Sequence, residues 1–193
     1  MLRRKVTEKL AEWKNKKDHK CLLVRGARQT GKSFSVSLFA SEKYDEVVVI
    51  NFKETPALGE IFYGNLDVDS MILAMRFRFP EKTLKPEKTL IFLDEIQECA
   101  EAITSLKFWA LDNRYDVIAS GSMLGIDYKR PSSYPVGYVD YIDMYGLDFE
   151  EFLWSRGISD DMILSLKSMF LSRSPVPPAI HSQMMMLFRT YMA

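Results

Sequence analysis

Apolar residues gather into five short runs along the chain: Cys21–Arg25, Val47–Phe52, Thr89–Leu93, Tyr115–Ala119 and Val139–Tyr145. The first four are continuous and apolar, as strands covered on both faces are. The fifth, VDYIDMY, alternates and belongs nearer the edge of a sheet. Helical patterns fill the gaps. Lys32–Lys43 follows the first run. Asp67–Phe79 carries Met71, Leu73, Ala74, Met75 and Phe77, and Pro80 ends it. Glu98–Leu111 carries Ala102, Ile103, Leu106, Trp109 and Ala110. Strands alternating with helices predict an α/β fold, a parallel sheet with helices on both faces. Ahead of the first strand, Leu2, Val6, Leu10 and Trp13 share one helical face, which predicts a surface helix docked by that face.

After Tyr145 the pattern is helical throughout. Asp148 can cap a helix through Trp154, with Glu151 completing a box-like pattern. Asp160–Leu171 and Ile180–Met192 follow, joined by the loop Ser172–Pro178. Pro175 and Pro178 have PxxP spacing, which here reads as a connector. The expected division is a core over 1–147, including the N-terminal helix, and a small helical segment over 148–193.

Composition narrows the picture. At 193 residues and 47% apolar, the chain can bury one good core with a small appendage. No apolar run is long enough to cross a bilayer, and the N-terminus lacks the apolar core of a secretory signal. The expected location is the cytoplasm, with no membrane partner. Lys plus Arg and Asp plus Glu both number 26, so net charge offers no general drive toward nucleic acid. The first twenty residues are locally basic, which leaves that helix as the one place for a nucleic-acid contact; its ordinary reading is a solvated face. Cys21 and Cys99 have no metal-ligand spacing and read as small buried hydrophobes. His19 and His181 are isolated, and no chemistry is assigned to them.

The chemistry sits where the first strand ends. Gly26-Ala27-Arg28-Gln29-Thr30-Gly31-Lys32-Ser33 fits G-x-x-x-x-G-K-[ST] at every fixed position. Two glycines let the backbone curl so that successive N–H groups face phosphate oxygens. The helix opening at Lys32 adds its positive end. Lys32 can reach the β- and γ-phosphates and the Ser33 hydroxyl can ligate Mg²⁺. Phe34, the next residue, completes the expected cofactor-binding stretch. The run TLIFLDEIQ, Thr89–Gln97, supplies a second part. Asp94, at the strand's carboxyl end, is the expected Mg²⁺ partner alongside Ser33. Glu95 is placed to polarise an attacking water. YDVIASGS, Tyr115–Ser122, ends in small polar residues, of which Ser120 or Ser122 could contact the γ-phosphate or that water. No Asn-Lys-x-Asp guanine signature occurs, which favours ATP.

The stretches LLVRGARQTGKS, TLIFLDEIQ, VIASGSMLG and SYPVGYVDYIDMYGLDFEEFL together resemble bacterial and archaeal AAA-type ATP-binding proteins. In these an N-terminal ATPase domain precedes a C-terminal domain of unknown function. The last stretch, Ser133–Leu153, is the most specific to that family. The resemblance implies a three-layer P-loop NTPase fold with sheet order 5-1-4-3-2, a helical lid, and a C-terminal domain missing from this chain. It puts the family's sensor position on Ser120. Many members carry a basic residue where Tyr138 follows Gly137. Lys129 and Arg130 lie where related ATPases place an arginine finger for a neighbouring subunit, so a homo-oligomer or a partner protein is implied. The leading expectation is a Mg²⁺-dependent ATPase with Glu95, Lys32 and Ser120 as catalytic residues. The alternatives are a nucleotide-gated switch with negligible turnover, or a small-molecule kinase, for which no acceptor constellation is visible.

Overall fold

The computed structural model describes residues 2–122 and 135–193. The chain divides into two compact units. One spans Val6–Tyr145; the other joins the residues up to Lys5 with Gly146–Ala193.

The larger unit is built on a five-stranded parallel sheet. Its strands are β1 (Cys21–Arg25), β2 (Glu46–Asn51), β3 (Thr89–Asp94), β4 (Asp116–Gly121) and β5 (Val139–Asp143). Their spatial order is β2-β3-β4-β1-β5, the neighbour order the resemblance implied. The register pairs Asn51 with Asp94, Leu93 with Ala119, and Val24 with Ser120. All the carboxyl ends therefore finish at one edge, and the polar residues that close the strands lie there side by side.

Alternation along each strand explains the two apolar layers. Leu22, Val24, Phe92, Ile118 and Ile142 face one way, onto Val36, Phe39 and Ala40 of helix α2 (Lys32–Lys43) and Val6, Leu10 and Trp13 of α1 (Lys5–Asn15). Leu23, Ile50, Leu93, Val117 and Ala119 face the other way. They meet Met71 and Met75 of α3 (Val68–Arg78) and Leu106 and Trp109 of α4 (Ala100–Asp112). Each large side chain so buried contributes roughly 1.5–3 kcal/mol.

Several boundaries move for local reasons. Asp67 caps α3 by accepting from the Ser70 amide at 2.9 Å. α4 begins at Ala100 and not at Glu98, because Ile96–Glu98 forms a separate 3₁₀ turn and Cys99 is extended. β5 stops at Asp143, beyond which the Met144 amide donates to the Arg25 carbonyl at 2.7 Å. Leu2 precedes α1 and is exposed, so the apolar face of that helix starts at Val6. A second 3₁₀ segment, Pro56–Phe62, buries Ile61 and Phe62, with Phe62 edge-on to Phe52 at 5.6 Å.

In the smaller unit, α5 (Phe149–Ser155), α6 (Asp160–Leu171) and α7 (Pro178–Met192) follow one another. α5 opens with a capping box: Asp148 accepts from the Glu151 amide at 2.8 Å, and Glu151 accepts from the Asp148 amide at 3.1 Å. Glu151 is 4% exposed and also accepts from the Lys5 amide at 2.7 Å and from Arg4 Nε at 3.1 Å. Leu153, Ile158 and Ile163 form a small core, with Met184 and Leu187 of α7 against it. Phe149 packs edge-on against Phe188 at 5.2 Å.

Candidate functional site

β1 delivers the chain to Gly26, where no other residue fits: a Cβ there would sit 2.1 Å from the Met144 carbonyl oxygen. The loop then curls through two left-handed positions, Gln29 at φ 64° and Gly31 at φ 89°. Thr30 Oγ1 ties it internally to the Ala27 carbonyl at 3.0 Å. α2 starts at Lys32 with Gly31 at its cap position, so the cap residue offers no side chain to the first-turn amides. These amides carry the positive end of a twelve-residue helix.

Lys32 is buried, 6% exposed, and among the described residues its ammonium donates to neutral oxygens, the Gly26 carbonyl at 3.0 Å and the Ala27 carbonyl at 2.7 Å. Among the described residues it forms no ion pair with a carboxylate. Burial depresses its pKa below the usual lysine value, against the pull of Glu95 and Asp94. A buried cation held by carbonyls alone is stabilised by an incoming anion.

Asp94 closes β3 and is 4% exposed. Its Oδ1 accepts from Ser33 Oγ at 3.0 Å, from the Glu95 amide at 3.2 Å and from Ser120 Oγ. Its Oδ2 accepts from Asn51 Nδ2 at 3.1 Å. Asn51 in turn accepts from the amides of Lys53 and Glu54 at 3.0 and 3.1 Å. β2, β3, β4 and the phosphate-type loop thus converge on one carboxylate. The oxygen set of Ser33 and Asp94 suits Mg²⁺, which takes one or two protein oxygens and completes its shell with water and phosphate. Among the described residues no group of three His, Cys, Asp or Glu side chains could hold a metal by itself.

Glu95 is partly buried and adopts a left-handed backbone, φ 54°. Its Oε2 accepts from Gln97 Nε2. The structure therefore brings Lys32, Ser33, Asp94, Glu95 and Ser120 to one sheet edge. Ser120 is fully buried and spends its hydroxyl on Asp94. Ala27, Arg28 and Gln29 are exposed on the outside of the loop, and Phe34 is 62% exposed on the first turn of α2. Lys129 and Arg130 lie outside the described residues. Asn51 and Gln97 escaped the sequence reading. Asn51 ends a run read only for its apolar content, and the Q of LDEIQ carries no signal until its neighbour's role is considered.

The sequence matches the AAA domain family over residues 18–153. The chain belongs to that family. This AAA domain is accordingly a nucleotide-binding ATPase-family domain, and the loop and carboxylate edge above lie inside the matched region. No curated protein matches the chain. Among solved structures, a chain of the Drosophila ORC bound to DNA is similar, with a TM-score of 0.51 at 14% identity. The match covers 78% of this chain and 44% of that chain, so the likeness is one of fold and spans under half of the neighbour. Among the described residues no helix is long and apolar enough to cross a membrane.

Proposed function

We propose that this AAA domain binds ATP with Mg²⁺ and hydrolyses it, coupling the cycle to conformational change. The observation that carries the proposal is the buried Lys32 ammonium, held by loop carbonyls, beside a buried carboxylate already joined to Ser33. The amides of Gly26–Ser33 and the start of α2 would bind the phosphates. Lys32 would neutralise charge on the β- and γ-phosphates. Ser33 and Asp94 would hold the ion, which neutralises phosphate charge as it develops. Ser120 and Asn51 hold Asp94 in place. Glu95 would take a proton from the attacking water, and a neighbouring subunit or partner would supply the transition-state arginine.

A second reading is a nucleotide-gated switch with negligible turnover. It is favoured by Ser120, whose buried hydroxyl is engaged with Asp94 and so is turned away from the γ-phosphate contact that the hydrolytic reading expects of it. The test is phosphate release from ATP with Mg²⁺ by the chain, beside Lys32→Ala and Glu95→Gln. Hydrolysis predicts that Lys32→Ala loses nucleotide binding by roughly the strength of its charged contacts, about 1.5–3 kcal/mol. Glu95→Gln should keep binding and lose turnover by about 100-fold or more. Equal turnover in Glu95→Gln overturns the role of Glu95. Lys32-dependent binding without phosphate release favours the switch.

A further inference from the structure

We infer that Gln97 is the positioning residue for Glu95, an inference that rests on the hydrolytic reading above. The stretch LDEIQ folds in an unusual way at this point. Glu95 takes a left-handed backbone that a residue with a Cβ adopts only against a steric penalty. The 3₁₀ turn that follows is closed by the Glu98 amide donating to the Glu95 carbonyl at 3.0 Å and the Cys99 amide donating to the Ile96 carbonyl at 3.0 Å. Ile96, buried in the core, anchors the turn. The side chains of Glu95 and Gln97 consequently meet, two residues apart, which a regular helix forbids.

Gln97 is 3% exposed, and the two ends of its amide are placed differently. Nε2 donates to the Glu95 carboxylate, while Oε1 is buried with no partner among the described residues. Turning the amide over would set a carbonyl oxygen against a carboxylate. The observed orientation keeps the donor on Glu95. Glutamate otherwise has wide rotamer freedom, and among the described residues Gln97 Nε2 is the donor that restrains its carboxylate.

The experiment uses the full chain and steady-state phosphate release from ATP with Mg²⁺, together with nucleotide affinity and thermal midpoint. Gln97→Met keeps the side-chain length and removes the donor. It should lower kcat by about 10- to 100-fold, the scale of a misaimed catalytic group, with KM and the thermal midpoint held. In the Glu95→Gln background the same substitution should cost nothing more. Parental or increased kcat in Gln97→Met overturns the inference, an increase meaning that Gln97 restrains Glu95. An equal further loss in the double variant also overturns it, because Gln97 would then act elsewhere. If Gln97→Met fails to fold, Gln97→Asn decides. It keeps the amide one methylene short and should lose turnover only when Glu95 is present; parental kcat overturns the inference. Failure of the hydrolytic reading is recognised separately, by a parent chain that releases no phosphate or by a Glu95→Gln variant that turns over normally, and the inference then falls with it.

Discussion

Replacing His19 with alanine strips one partner from a carboxylate at the amino edge of the sheet. His19 Nε2 lies 2.7 Å from Asp116 Oδ1, and His19 Nδ1 lies 3.0 Å from the Lys16 carbonyl. Both ring nitrogens face acceptors, an arrangement only the doubly protonated imidazolium satisfies. The hydrogen bond to Asp116 accordingly raises the His19 pKa, against burial and the nearby Lys14. Burial would push Asp116 up, but hydrogen bonds from His19 and Tyr44, with Lys14 adding charge, hold it at about 2. Against an ordinary value of 3.8, that depression corresponds to about 2.5 kcal/mol, at about 1.4 kcal/mol per unit. His19 shares the effect with Tyr44 and Lys14, so its own part is about 1–1.5 kcal/mol. The two side chains are 19% and 18% exposed, so solvent trims this value without abolishing it.

The sign follows from linkage. The His19 contribution is whole below its unfolded value of 6.5 and disappears as pH rises through the higher folded value. The Asp116 contribution is present above 3.8 and disappears as pH falls toward about 2. The pair is therefore strongest in mildly acid solution. Urea unfolding followed by tryptophan fluorescence, at about pH 5.5 and about pH 9, should show His19→Ala less stable by about 1–1.5 kcal/mol in acid and by less than half of that in alkali. Trp13 packs edge-on to His19 at 4.6 Å and reports the site directly. An equal loss at both values, or a larger loss in alkali, refutes the charged pairing.

Gly26→Ala drives a methyl into the Met144 carbonyl, so the loop must shift off its path. Equilibrium nucleotide binding should fall below detection, with a stability loss of about 1–3 kcal/mol by thermal denaturation; normal binding would contradict the tight approach. Cys21 is fully buried, its Sγ donates to the Leu106 carbonyl, and burial pushes its thiol far above the usual range. It should react with a thiol reagent only at the rate of unfolding, as measured by mass spectrometry with and without urea, whereas immediate labelling in native buffer would contradict that burial.

The parallel sheet could be anticipated because continuous apolar runs alternate with helical patterns, whereas its strand order came from the family resemblance alone. Lys32–Lys43 emerged with its predicted limits because a glycine-bounded loop and a polar C-terminus mark both ends. The 3₁₀ segments were not legible, since a single turn carries no periodicity; Pro56–Phe62 looks like loop until Ile61 and Phe62 are seen in the core. The candidate site was legible where backbone chemistry demands a residue type, as at Gly26, Gly31 and Lys32. It was not legible at Asn51, whose meaning depends on the register that sets it opposite Asp94. His19 looked isolated in sequence because its partner lies 97 residues away.

Glu151 carries an implication for the order of synthesis. Its carboxylate accepts from the Lys5 amide across a separation of 146 residues. As the chain leaves the ribosome from its N-terminus, Arg4 and Lys5 emerge long before the residue that ties them down. The larger unit, all of whose strands are complete by Asp143, can assemble first. The smaller unit must wait for Glu151 and its helix to close a loop whose entropic cost grows with its length. Shortening the chain by its first five residues would leave a buried carboxylate without two of its donors, and the damage would fall on the helices that follow the sheet in the chain.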